Sequence, residues 1–324
     1  MALERRGFVS GALAAGVSAV LVPRSTEAAA QPAKLVLGTA TPGGGFPVYA
    51  AALIEALKTV DPDLVIEARN TKGSMENAPM LERGELDLGL VTGEVLHEAV
   101  AGIGRSPSSL KVVAAMYPQP GMFALRADSP ARGIGDLRGR PVVFGAAGSG
   151  LVVLARYVLD GVGLDPERDF QAIFLERAGD GPAMVLDGRA AALWGAGAGW
   201  PGFDAVAKAP GGARFVAPSA AEAGAILAKH PFLKPMTIPA GSYPGLDAPV
   251  PSVGSWSVIA ARPDLDEALA HRFTRALHLA EGALGAKLAQ ARDTTAANTA
   301  AAVTPPELLH PGAARYLREI GLLP

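Results

Sequence analysis

Apolar positions alternate between two periods along most of the chain. Short apolar runs at residues 35–37, 64–68, 86–91, 142–144, 170–175 and 190–194 read as buried strands. Between them lie segments of helical period, the first with Tyr49, Leu53 and Leu57 on one stripe and Ala50 and Ile54 beside it. Asp61-Pro62, Gly84, Gly161 with Gly163, and Gly188 stop successive helices. The helix after Gly73 takes Ser74 or Asn77 as its cap; with Asn77 capping, Pro79 falls in the first turn, where its missing N–H costs little. Strands alternating with helices predict an α/β fold with mostly parallel sheets and helices on both faces.

Residues 112–126 read as one long extended segment broken by Pro118 and Pro120, suited to cross between two lobes. Residues 238–245 form a turn-rich loop, and a strand at 253–261 is expected to return the chain to the first lobe. A long helix from about Leu265 and a terminal helix at 311–320 complete the pattern.

One device appears twice. Residues 34–46 and 140–150 are each a short apolar run, then a glycine-rich turn that opens a helix. A helix start leaves backbone N–H groups unpaired, and the helix dipole favours an anionic or strongly polar group there. Two such devices, one per lobe, predict a single site between lobes. An acid at this site would accept N–H bonds from Gly44, Gly45 and Phe46 on one side and Ser149 and Gly150 on the other. The hydroxyls of Thr39, Ser74 and Ser149 and the amide of Asn77 would supplement them, and Thr92 and Trp200 complete the candidate set. Lys72 and Arg177 are candidate carboxylate partners.

Composition narrows the function. With 49% hydrophobic residues, 19% charged residues and a net charge of −2, the chain can bury a large core but offers no basic patch for nucleic acid. It has no cysteine, which excludes disulfides and thiolate metal sites. Arg5-Arg6-Gly7-Phe8-Val9, an apolar stretch to about Val22 and Ala28-Ala29-Ala30 read as a twin-arginine-like export signal over residues 1–30, cleaved near Ala30. The mature protein is therefore expected in the periplasm.

The five histidines are scattered, and none forms a metal-binding pair. Gly-x-Ser-x-Gly and Gly-Lys-Ser/Thr are both absent, which argues against hydrolase and Walker-loop chemistry. No catalytic residues, metal or cofactor are expected. The rival reading is an exported dinucleotide-dependent oxidoreductase, with Gly145, Gly148 and Gly150 on a strand-to-helix turn and Glu176 at the end of the next strand. The glycine spacing departs from Gly-x-Gly-x-x-Gly.

The chain resembles the TAXI-type solute receptors of tripartite ATP-independent periplasmic (TRAP) transporters. Gly38-Thr39 through the glycines to Phe46, Gly73-Ser-Met-Glu-Asn77 with Gly84-Glu-Leu-Asp-Leu88, Asp136-Leu-Arg-Gly-Arg140 through Gly150, Ile238-Pro-Ala-Gly-Ser-Tyr-Pro-Gly245 and His310-Pro-Gly-Ala-Ala-Arg-Tyr316 carry the resemblance. It implies a two-lobed periplasmic-binding-protein-like fold, with a ligand cleft between lobes that closes on an organic acid or amino acid. The partners it implies are TRAP membrane permease subunits, with no enzymatic activity; a stand-alone periplasmic sensor of the same fold is the remaining alternative. The division expected is lobe 1 at 31–124, lobe 2 at 125–245, and a return to lobe 1 at 246–324. Leu151 stands where the family often has threonine, and Ala190 or Ala191 where it often has aspartate. With Phe46 and Trp200 near the cleft, an apolar wall and a solute less polar than glutamate are expected; Trp194 and Trp256 are expected in the core.

Overall fold

The computed structural model describes Met1 and residues 32–324; the export-signal reading falls outside the described residues. The chain runs β1 (Ala33–Gly38), α1 (Gly45–Leu57), β2 (Leu64–Arg69), α2 (Ser74–Glu82), β3 (Leu88–Thr92), α3 (Gly93–Ala101) and β4 (Lys111–Arg126). It continues with β5 (Pro141–Ala146), α4 (Gly150–Gly161), α5 (Pro166–Asp169), β6 (Gln171–Leu175), α6 (Gly181–Leu186), β7 (Ala192–Ala196), α7 (Pro201–Lys208), β8 (Ala213–Val216), α8 (Ala220–Lys229) and β9 (Lys234–Ile238). The last elements are β10 (Val250–Ala261), α9 (Glu267–Lys287), α10 (Ala296–Ala302) and α11 (Pro311–Glu319).

Two lobes share the 16-residue strand β4. Its first part, to Pro120, pairs antiparallel with β10; from Gly121 it pairs antiparallel with β7 and β8. The first lobe has the order β2-β1-β3-β10-β4, and the second has β6-β5-β7-β4 with β8 on the far side of β4. In each lobe three strands are parallel: β2, β1 and β3 in one, and β6, β5 and β7 in the other. The remaining pairings are antiparallel, so the sheets are mixed. In the first lobe β10, arriving from the second, runs against the parallel set; in the second lobe β4, arriving from the first, does so.

Side-chain alternation sets the two faces of the first sheet. Leu35, Leu37, Leu88 and Leu90 pack under α1 and α9 with Tyr49, Leu53 and Phe273, while Val91, Val112 and Val258 pack with α2, α3 and α11 on the other face. The second lobe closes around Phe123, Phe144, Trp194 and Phe203. Trp194 is fully buried there, and its indole N–H donates to the carbonyl of Leu151 at the start of α4.

Helix α2 starts differently from the sequence expectation. It begins at Ser74, neither Ser74 nor Asn77 caps it, and Pro79 lies inside it. Gly73, at φ 121°, turns the chain into the helix, and the Glu76 carboxylate accepts the Lys72 N–H, which does the work of a cap. Ser74 and Asn77 are thereby released for tertiary bonds.

Candidate functional site

Three strand-to-helix turns meet where the C-terminal ends of the parallel strands of both lobes face each other. They lead into α1 (Thr41 to Phe46), α2 (Lys72 to Ser74) and α4 (Gly145 to Gly150), and together they line one cavity of about 50 Å³. The rest of its wall is Ala40, Thr92, Tyr117, Gln119, Leu151, Ala178, Leu193 and Trp200. The lobes are shut over it. The Met75 N–H donates to the Gly148 carbonyl at 3.2 Å, the Ala178 N–H to Thr41 Oγ1 at 3.1 Å, and the Gly179 N–H to the Pro42 carbonyl at 3.4 Å.

Glycine permits this approach. A methyl group on Gly150 would lie 2.0 Å from Thr92 Oγ1, and one on Gly43 (φ 83°) would lie 2.5 Å from Gly179 Cα. The lobes thus meet almost backbone to backbone.

The amide donors differ from those expected. The N–H of Gly44 is taken by the Thr41 carbonyl, and that of Ser149 by the Ala146 carbonyl. Ser149 Oγ caps α4 by accepting the Leu151 N–H at 3.1 Å. The groups aimed at the cavity are therefore the first-turn N–H groups of Gly45, Phe46 and Gly150, which have no acceptor within their own helices. Helices α1 and α4, of 13 and 12 residues, add the positive ends of their dipoles.

Eight of the ten sequence-predicted residues line the cavity: Gly44, Gly45, Phe46, Ser74, Thr92, Ser149, Gly150 and Trp200. Thr39 and Asn77 do not. Thr39 is fully buried and its hydroxyl donates to the Arg69 carbonyl. Asn77, also fully buried, donates from Nδ2 to the carbonyls of Thr39 and Leu90 and so ties β1 to β3 behind the wall. Ser74 Oγ accepts the Thr92 N–H at 3.1 Å. Arg177 is exposed and does not line the cavity, whereas Lys72 is the charged residue among the lining ones.

Tyr117 and Gln119, both on the crossing strand β4, were not among the sequence candidates. They sit beside Pro118 and Pro120, which marked the crossing and could have drawn attention to them. Tyr117 is buried, and burial holds its hydroxyl far above the usual phenol range, so it remains protonated. Leu151, Leu193, Trp200 and Phe46 make the wall largely apolar. The Trp200 ring packs edge-on against Phe203, and its Cδ1 lies 3.2 Å from where a methyl on Gly45 would sit, so it reaches across to the first lobe. Trp256 lies in a separate surface groove beside Gly93, His97 and Phe232. No histidine, aspartate or glutamate is among the lining residues. Among the described residues there is no group of three metal-ligating side chains and no helix long and apolar enough to cross a membrane.

Comparison with known proteins adds a family and a fold. The family model described as NMT1-like matches residues 37–321. A Bordetella bronchiseptica RB50 protein of known structure is 16% identical over 89% of this chain and 81% of its own, with a TM-score of 0.54. A structure described as a periplasmic transporter is 15% identical over 78% of this chain and 84% of its own, with a TM-score of 0.53. The periplasmic aliphatic sulphonate binding protein SsuA from Escherichia coli is 20% identical over 91% and 84%, with a TM-score of 0.49. The architecture is the two-lobed, periplasmic-binding-protein-like α/β fold.

Proposed function

The chain belongs to the NMT1-like family, and on that premise we propose that it is a non-enzymatic, extracytoplasmic solute receptor. It captures a small carboxylated solute by closing two lobes and delivers it to the membrane subunits of a transporter. The finer assignment we infer is the TAXI type of TRAP receptor, located in the periplasm after loss of residues 1–30.

One observation carries the reading: glycine-rich helix starts from two different lobes share a single cavity while hydrogen bonds cross between the lobes above it. A carboxylate there takes N–H bonds from Gly45 and Phe46 on one side and Gly150 on the other. At about 1.5–3 kcal/mol for each bond to a charged group, three or four such bonds suffice for micromolar affinity. A solute that touches both lobes favours the closed form by its differential affinity for that form.

The hinge we propose lies where the strands change partners, at Pro120–Gly121 on β4 and near Gly254 on β10, close to the lobe limits expected at 124/125 and 245/246. A thermal-shift screen of organic acids, followed by small-angle scattering with the best of them, tests this. A raised melting temperature with a smaller radius of gyration is expected. Bound or titratable NAD(P) in the absorbance of the purified protein, with no response to acids, would overturn it in favour of the oxidoreductase reading.

A further inference from the structure

Beneath the cavity floor lies a concentration of buried oxygen atoms without partners. Thr92 Oγ1, Glu94 Oε1, Gln119 Oε1 and Ser257 Oγ are all buried, and none meets a partner in good hydrogen-bond geometry. Strand pairing places them together: Ser257 stands opposite Thr92 on β3 and opposite Tyr117 on β4, and Ser255 stands opposite Gln119. Directly opposed side chains lie about 5 Å apart at Cβ. Ser255 Oγ donates to Glu94 Oε2, which brings the carboxyl to the same place, and the Thr92 hydroxyl is near enough to favour its ionised form. Thr92 and Gln119 also line the cavity, so the cluster opens upward to it.

We propose that this cluster binds one positive charge beneath the captured acid: either the ammonium group of the solute itself or a free alkali cation. The inference rests on the receptor reading for the acid above it. The donor set is oxygen throughout, which suits a hard cation or an ammonium, and three of its atoms, Thr92 Oγ1, Glu94 Oε1 and Gln119 Oε1, match the three donors of an ammonium. It carries one formal charge, so a monocation balances it. Buried polar groups are ordinarily paired, and four orphans in one place call for an occupant. The N-terminus of α3 beside Glu94 supplies only about half a positive charge, too little to balance a carboxylate.

Without an occupant, burial holds the Glu94 carboxyl above the usual carboxylate range. The titratable groups facing it are Glu98 on its own helix and Tyr157 on α4, and neither is a cation. Seating a cation therefore favours the ionised form of Glu94.

Titration calorimetry tests this with valine, 2-hydroxy-3-methylbutanoate and 3-methylbutanoate, each in sodium chloride and in choline chloride, and with sodium chloride alone. Valine binding roughly tenfold or more tightly than its two relatives in both salts identifies the solute ammonium; the relatives binding that much more tightly in sodium than in choline identifies a free ion. In either case the preference is expected in the wild type and lost in Glu94→Gln. Thr92→Val, which keeps the side-chain shape, should weaken the same preference several-fold. Three acids binding alike in both salts, with no effect of Glu94→Gln, would overturn the cation site and leave the receptor reading standing. If no acid binds but sodium titrates the wild type and not Glu94→Gln, the cation site stands and the acid reading falls. Silence in every titration overturns the proposal.

Discussion

The Met75 N–H of one lobe donates to the Gly148 carbonyl of the other at 3.2 Å, so the first turn of α2 is bonded to the loop that opens α4. Each partner belongs to a glycine-bearing turn, and each turn also lines the cavity. Closing the lobes and completing the binding site are therefore one event, which makes the glycine contacts the most direct handle on it.

Gly150→Ala should separate folding from closure. Alanine is well suited to a helix start, so α4 itself gains, but its methyl would meet Thr92 Oγ1 at 2.0 Å only when the lobes are shut. The expected outcome is an unchanged or slightly raised melting temperature without solute, a loss of affinity of about tenfold or more, and no solute-induced fall in the radius of gyration. A variant that compacts as the wild type does would remove Thr92 and Gly150 from the closing contact.

Trp200 should report solute entry. Of the three tryptophans it alone lines the cavity, while Trp194 is sealed in the second-lobe core. Trp200→Phe should retain the fold and abolish most of the solute-induced change in intrinsic fluorescence. A change that persists in Trp200→Phe would place the responding indole elsewhere.

Asn77 and Thr39 support the site from behind. Asn77→Leu removes the donor to the buried carbonyls of Thr39 and Leu90, leaving that of Thr39 with the Thr71 hydroxyl alone. About 2 kcal/mol of stability should be lost, seen in denaturant unfolding. The folded variant should bind solute within about twofold of the wild type. A large affinity loss at unchanged stability would return Asn77 to the binding surface.

The ion pair that fastens α9 to the first lobe sets an acid limit. Arg272 donates to both Asp61 oxygens at 2.7 Å, and this bonding holds the Asp61 carboxyl below its ordinary value of 3.8. A depressed folded-state pKa contributes stability that is fully present above pH 4 and lost as the pH falls through the folded value. Asp61→Asn should therefore cost about 1 kcal/mol at pH 7 and progressively less below pH 4, measured by unfolding at each pH. A pH-independent difference would show that packing, not charge, matters there.

Much of this was legible in the sequence because local signals and tertiary fold agree. The apolar runs before Gly38 and Gly145 became β1 and β5, and the Pro118/Pro120 segment became the crossing strand β4. Helix α3 escaped notice because Thr92 leads straight from β3 into Gly93, with no turn residues to separate a strand from a helix. The antiparallel share of each sheet was also hidden, since the partners of β4 and β10 are set by chain crossing and not by local pattern. At the site, glycine turns and hydroxyls were visible, but which N–H groups stay free was not. The Thr41 and Ala146 carbonyls consume the amides of Gly44 and Ser149 through turn geometry, which composition does not show.

A crystal structure with the acid giving the largest thermal shift tests the central claim most directly. The account predicts its carboxylate within about 3 Å of the amide nitrogens of Gly45 or Phe46 and of Gly150, with both lobes closed over it. A carboxylate bound by one lobe alone, or seated outside the cavity between Trp200 and Thr92, would contradict the account.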